Sequence, residues 1–192
     1  MRIITGKARG IALKTLEGEA TRPTSEKVKE AVFSAIQFDI EGRRFLDLFA
    51  GSGQMGLEAL SRGASHATFI DASAEALAIA KENAKKTGFF ADSHFLASDY
   101  RNFIRKAAEG DAFDIVFIDP PYAERIAGDA VERLLRASLL KPAALVITES
   151  EEEDVFAGKA DIREKFELLK SKKYGRTYIT ILRLISADPV EG

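Results

Sequence analysis

Phe45-Leu46-Asp47-Leu48-Phe49-Ala50-Gly51-Ser52-Gly53-Gln54-Met55-Gly56-Leu57-Glu58-Ala59-Leu60 passes from an apolar run through closely spaced glycines into a second apolar pattern. It reads as a strand, a tight turn and a helix. Residues 51 to 56 satisfy the spacing G-x-G-x-x-G, and Asp71 stands 20 positions beyond Gly51 at the end of the next apolar run. Glycines in such a turn let a ligand touch the backbone, and a strand-end acid can bind ribose hydroxyls, so together they point to a nucleoside site. Outward from this unit, strand-like runs at 44–49, 66–70, 93–97, 113–118 and 143–148 alternate with helical patterns near 53–62, 73–86, 99–108 and 124–139. The alternation predicts right-handed βαβ crossovers and a mostly parallel sheet with helices on both faces.

The rhythm breaks after residue 150. Glu151-Glu152-Glu153-Asp154 reads as the solvated start of a short helix, because carboxylates favour that end of the helix dipole. Runs near 163–171 and 176–185, separated by Lys172-Lys173-Tyr174-Gly175, then predict an antiparallel hairpin. A parallel sheet closed by such a hairpin is the Rossmann-like class I methyltransferase architecture, an α/β fold with a seven-stranded sheet; many dinucleotide dehydrogenases instead continue the parallel winding. Ahead of the core, residues 2–15 alternate loosely around Gly6 and Gly10 and predict a small β-ribbon appended to it. Thr21-Arg22-Pro23-Thr24 then leads into a helix carrying Val28, Val32, Phe33, Ala35 and Ile36, with Thr24 or Ser25 as its N-cap. The expected division is an N-terminal extension over 1–40 and a catalytic domain over 41–192.

Three acids and one loop carry the candidate chemistry. NAD and S-adenosylmethionine share an adenosine, so the glycine turn with Asp71 does not choose between them. Asp47 precedes the turn by four residues, where a carboxylate can meet the α-amino group of a methionine moiety. Asp99 ends the third strand, where an acid can accept from an adenine amine; Tyr100 or Phe103 can pack nearby, although Phe103 fits the core better. Asp119-Pro120-Pro121-Tyr122 follows the apolar run Phe113–Ile118. Each proline fixes its own φ, and Pro121 holds Pro120 extended, so the carbonyls of Asp119 and Pro120 point in set directions. Such acceptors can orient an exocyclic amine while the Tyr122 ring stacks on the base. These features favour the methyl donor over the dinucleotide.

With 192 residues, 46% of them hydrophobic, the chain can build one substantial core. It has no cysteine, which removes disulfides, Cys-zinc sites and thiol catalysis, and the two histidines, His66 and His94, lack ligand-like partner spacing. No metal is expected. No apolar run approaches the ~20 residues of a membrane span and no signal-peptide core is visible, so a cytoplasmic location is expected. The expected state is a monomer. The net charge of -2 hides an asymmetry: Arg2, Lys7, Arg9, Arg22 and Lys27, with Lys14 and Lys29, make residues 1–30 net positive, a patch suited to phosphates.

Taken together, the chain resembles the RsmD-type bacterial methyltransferases, which methylate the exocyclic N2 of a guanine in 16S ribosomal RNA. The resemblance rests on Arg2-Ile3-Ile4 with Arg9-Gly10 and Leu13, Arg22-Pro23-Thr24 with Val28 and Glu30, Phe49 to Gly53 with Gly56 to Arg62, Asp119 to Tyr122, and Tyr174-Gly175. It departs at Thr5, where glycine is expected, at Asp71, where glutamate is common, and at Tyr122, which replaces a frequent phenylalanine. The resemblance implies S-adenosylmethionine held by Asp47, Phe49, Ala50, Gly51, Ser52, Gly53, Asp71, Ala72, Asp99 and Tyr100, with Thr24 at the methionine end. It also implies catalysis by Asp119, Pro120, Pro121 and Tyr122, and a grip on 16S rRNA or a small-subunit assembly intermediate through Arg2, Lys7, Arg9, Arg22 and Lys27. The competing readings are a DNA amino-methyltransferase, acting at adenine N6 or cytosine N4 through the same loop, and a non-catalytic nucleotide-binding assembly factor. A dehydrogenase is weakest, because no second substrate domain or hydride-site histidine is visible.

Overall fold

The computed structural model describes residues 1–15, 26–108, 110–120 and 126–185. Its strands are β1 (Arg44–Asp47), β2 (His66–Asp71), β3 (Ser93–Ala97), β4 (Phe113–Ile118), β5 (Leu140–Ser150), β6 (Phe166–Tyr174) and β7 (Thr177–Leu184). Its helices are α1 (Glu26–Ala35), α2 (Gln54–Ser61), α3 (Ala74–Thr87), α4 (Tyr100–Lys106), α5 (Ile126–Arg136) and the single turn α6 (Ala160–Arg163). The strands form one seven-stranded sheet in the order β3-β2-β1-β4-β5-β7-β6. Pairing is parallel for β1–β2, β2–β3 and β4–β5 and antiparallel for β5–β7 and β6–β7. This is the Rossmann-like class I methyltransferase arrangement anticipated above. No helix among the described residues is long and apolar enough to cross a membrane.

The chain forms two compact units, Met1–Asp99 and Tyr100–Gly192. In the first, α2 is buried along its whole length. One reason is Gly56, where an added Cβ would lie 2.3 Å from the Phe69 ring, so only glycine lets the helix pack this close to β2. The other is the N-terminal ribbon, closed by an Arg2–Ala12 bridge, which lies on α2 with Ile3, Ala8 and Leu13 buried. The ribbon is therefore part of this unit's packing and not an appendage beside it. In the second unit Ile115 to Ile118 are buried on both faces of β4, as a central parallel strand requires.

Local expectations shifted in several places. The hairpin turn falls at Gly175-Arg176, since Tyr174 pairs with Thr177, and Lys172 and Lys173 lie on β6 itself. Strand twist favours a two-residue hairpin loop, and the register that places Ile179 to Leu182 in the core selects it. The acidic run 151–154 starts no helix: Asp154 accepts from the Phe156 amide in a local turn, and α6 begins only at Ala160. Strand β5 is longer than its apolar run, because pairing with β4 and β7 extends it at both ends. Lys29, counted with the positive patch, is fully buried. The expected N-cap at Thr24 or Ser25, with Arg22, lies outside the described residues.

Candidate cofactor cradle and strand-end loop

The cradle of the first unit is built where β1 turns into α2. Gly51 has φ of 52°, a left-handed conformation, and an added Cβ there would meet nothing within 4 Å, so its backbone faces open space. The Asp71 carboxylate, at the end of β2, accepts from the Gly51 amide (2.8 Å) and from the Ser73 amide (2.8 Å). It fixes the turn and retains lone pairs for further donors. Asp47 accepts from the Gly56 amide at 3.0 Å, tying the end of β1 to the first turns of α2. Phe49 and Ser52 are half-buried, Ala50 and Gly53 buried, Ala72 exposed, and Asp99 is exposed two residues beyond the end of β3. Gln54, only 8% exposed, has an Oε1 that takes no hydrogen bond from any described residue.

Burial sets the charge state of Asp47. Asp47 is 1% exposed, and its carboxyl is pushed up to about 7, chiefly by burial and further by the Asp71 charge, against the opposing Gly56 hydrogen bond. The unfolded chain releases this proton near 3.8, whereas the folded chain keeps it to about 7. The group's contribution is therefore most favourable below about pH 4 and falls as pH rises to 7, by about 4 kcal/mol in all. Asp47→Asn, which keeps an acceptor for Gly56, is expected to gain stability over the wild type between pH 5 and pH 8. Denaturant unfolding at both pH values checks this; a difference independent of pH would mean that Asp47 carries no such burial penalty.

Sequence reasoning missed the residues that hold the cradle to the ribbon. Asn83 on α3 is fully buried: its Oδ1 accepts from the Lys14 amide (2.8 Å), and its Nδ2 donates to the carbonyls of Lys14 (3.0 Å) and Ser52 (2.9 Å). One amide thus joins the glycine turn to the end of the ribbon. Glu58 on α2 accepts from the amides of Ile4 (2.8 Å) and Thr5 (3.0 Å) and from Arg62 Nε (2.8 Å), and it pairs with Lys29 Nζ at 3.3 Å. Lys29 Nζ also donates to the Arg2 carbonyl (2.6 Å), and burial lowers its pKa despite Glu58. Ser61 completes the contact, its Oγ accepting from the Ala8 amide and donating to the Thr5 carbonyl. The signal was readable: Lys29 sits at helical spacing from Val32 and Phe33, and Asn83 from Ala76 and Ala80, so each is a polar residue on an apolar face.

In the second unit Asp119 and Pro120 leave the carboxyl end of β4, both half-buried. Pro121 and Tyr122 lie outside the described residues, as does Thr24. Tyr100 opens α4 and donates from its hydroxyl to Asp129 (2.7 Å); burial and then this hydrogen bond raise its pKa. Phe103 is buried with its ring 6.5 Å from that of Phe113, a core contact as expected. Of the ribbon cations, Lys7 and Arg9 are exposed, as is Lys27 on α1, and exposed Arg2 lies 3.5 Å from Glu26.

A sheet of this order, with a glycine cradle after its first strand and a strand-two acid on the cradle, defines a class I methyltransferase domain. The family model described as Conserved hypothetical protein 95 matches residues 1–183. The Ribosomal RNA small subunit methyltransferase D of Haemophilus influenzae is 34% identical over 176 residues, covering 91% of this chain and 89% of the relative. The protein of the same name from Escherichia coli is 35% identical over 156 residues, covering 80% and 76%. The solved structure of yhhF from Escherichia coli superposes with a TM-score of 0.84 at 31% identity, over 96% of this chain and 98% of that one. The chain belongs to this family, the RsmD-type methyltransferases.

Proposed function

We propose that the protein transfers a methyl group from S-adenosylmethionine to the exocyclic N2 amine of a guanine in 16S ribosomal RNA. The observation that carries the cofactor assignment is the pair of acids around an open glycine turn, Asp47 with a raised pKa and Asp71 bound to the Gly51 amide. The residues fit the group: open space at Gly51, spare lone pairs on Asp71 for ribose hydroxyls, a buried Gln54 Oε1 in want of a donor, and the Asp47 and Asp71 carboxyls near enough to interact, where a positive group can be met. Bound S-adenosylmethionine would supply an electrophilic methyl group on its sulfonium. Asp47 would hold the amino group of the methionine end, Asp71 the ribose and Asp99 the adenine amine. Asp119 and the Pro120 carbonyl would accept the protons of the guanine amine and direct its lone pair, with Tyr122 stacking on the base. No side chain need act as a nucleophile. Support for the RNA substrate comes from the names of the relatives and from the exposed cations Lys7, Arg9 and Lys27.

The deciding experiment incubates the protein with labelled S-adenosylmethionine and, separately, 16S rRNA, small subunits or DNA, followed by digestion to nucleosides. Label in N2-methylguanosine is expected; label in methylated adenine or cytosine of DNA, or none at all, would overturn the reading. Asp71→Ala is expected to weaken cofactor binding in a folded chain, since ribose hydrogen bonds to a carboxylate are worth about 1.5–3 kcal/mol each before compensation. Calorimetry measures it, and unchanged affinity would remove Asp71 from the site.

A further inference from the structure

The β6–β7 hairpin carries a charge pattern that the proposed chemistry does not use. Residues 169–178 contain four of the chain's 28 basic side chains, Lys170, Lys172, Lys173 and Arg176, and none of its 30 acidic ones. None of the four is ion-paired with a described residue; the hairpin's own ion pair, Arg183 with Glu167 at 3.6 Å, lies at its base. Strand β6 ends the sheet order and is exposed from Glu167 to Lys173, while its partner β7 is buried from Ile179 to Leu182. The two faces of the tip are alike in chemistry. Lys172 Nζ lies 5.5 Å from the Tyr174 ring centroid, and Lys173 Nζ lies 4.9 Å from that of its cross-strand neighbour Tyr178.

Register decides where this tip stands. Ile118 pairs with Thr148, and Ser150 pairs with Tyr178, so the tip leaves the sheet at the same edge as Asp119 and Pro120. Thr177 Oγ1 anchors it there by donating to Glu149 Oε1 at 3.2 Å. Three strand spacings separate β4 from β6, about 14 Å. A phosphate backbone whose base is held at Asp119 would pass this edge within a few nucleotides. Four cations with no ion-pair partner among the described residues, set beside two tyrosines, suit an anionic, aromatic polymer, and they form a local positive patch in a chain whose remainder, with 24 basic against 30 acidic side chains, is net negative.

We infer that the β6–β7 tip is a second RNA-contacting surface, where Lys170, Lys172, Lys173 and Arg176 grip phosphates flanking the nucleotide to be methylated. The inference rests on the RNA methyltransferase reading. Its test is the variant with all four residues replaced by Gln, measured for binding to 16S rRNA across a salt series. The slope of log affinity against log salt is expected to fall by about 3, at 0.7–0.9 per lost phosphate contact. KM for RNA should rise at least tenfold with kcat largely retained and affinity for S-adenosylmethionine unchanged. Lysines also guard edge strands against aggregation, so Arg176→Gln, in the turn and off the strand, is the second probe, with an expected slope change near 1. An unchanged slope in Arg176→Gln together with an unchanged KM in a soluble Lys172→Gln, Lys173→Gln variant would overturn the inference. If the wild type methylates RNA and these variants match it, only the tip assignment fails; if the wild type methylates no RNA, the functional reading fails first.

Discussion

Glu58→Ala is expected to lower folding stability by about 3–5 kcal/mol, the cost of leaving a buried charge without its partner. The carboxylate takes donors from Ile4, Thr5 and Arg62 and faces Lys29, and both Glu58 and Lys29 side chains are fully buried. Removing it takes the carboxylate from the buried Lys29 ammonium, which keeps its bond to the Arg2 carbonyl, and leaves two backbone amides short of an acceptor. The ribbon would come loose from α2 first, because its ties to that helix run through Glu58 and Ser61, whereas its own backbone hydrogen bonds between Met1–Ile3 and Gly10–Leu13 would remain. Denaturant unfolding followed by circular dichroism gives the stability change, and hydrogen exchange at the Ile4 and Thr5 amides reports the ribbon. Glu58→Gln, which retains one acceptor, should fall between. A loss below 1 kcal/mol with both amides still protected would show that Glu58 does not hold the ribbon.

Asp119→Ala is expected to lower turnover about a hundredfold or more while leaving affinity for S-adenosylmethionine nearly intact, the scale of losing one oriented acceptor in a preorganised site. The separation of effects follows from the proposed division of roles, with Asp47, Asp71 and Asp99 toward the cofactor and Asp119 toward the guanine amine. Tyr122 provides the contrast: Tyr122→Phe keeps the stacking face and should retain much of the activity, whereas Tyr122→Ala should lose about 1–3 kcal/mol of base stacking and fail mainly at holding guanine. Steady-state kinetics on small subunits separates kcat from KM. Full turnover in Asp119→Ala would end the amine-orienting role, and equal inactivity of Phe and Ala at 122 would assign the work to the hydroxyl.

The parallel sheet, its closing hairpin and the glycine cradle were legible in the sequence because each rests on a local periodic signal. Apolar runs of strand length alternate with helical spacing, and the Gly51–Gly56 turn with Asp71 downstream is a contiguous pattern. The same locality explains why the family could be recognised from residues alone. What the sequence could not fix was register and partnership, which depend on contacts between residues far apart in the chain. The turn of the last hairpin moved to Gly175-Arg176 because burial of Ile179 to Leu182 outweighs the turn preference of Lys172 to Gly175. Lys29 and Glu58 look like surface charges one by one and become a buried pair only when α1, α2 and the ribbon meet. Asp47 was assigned to a ligand, yet only the fold shows that its carboxylate first serves the Gly56 amide and that burial holds its proton to about pH 7. Local pattern therefore determined the elements and the chemistry they can carry, and tertiary packing decided which charges are buried, which amides they satisfy and which cations remain at the sheet edge.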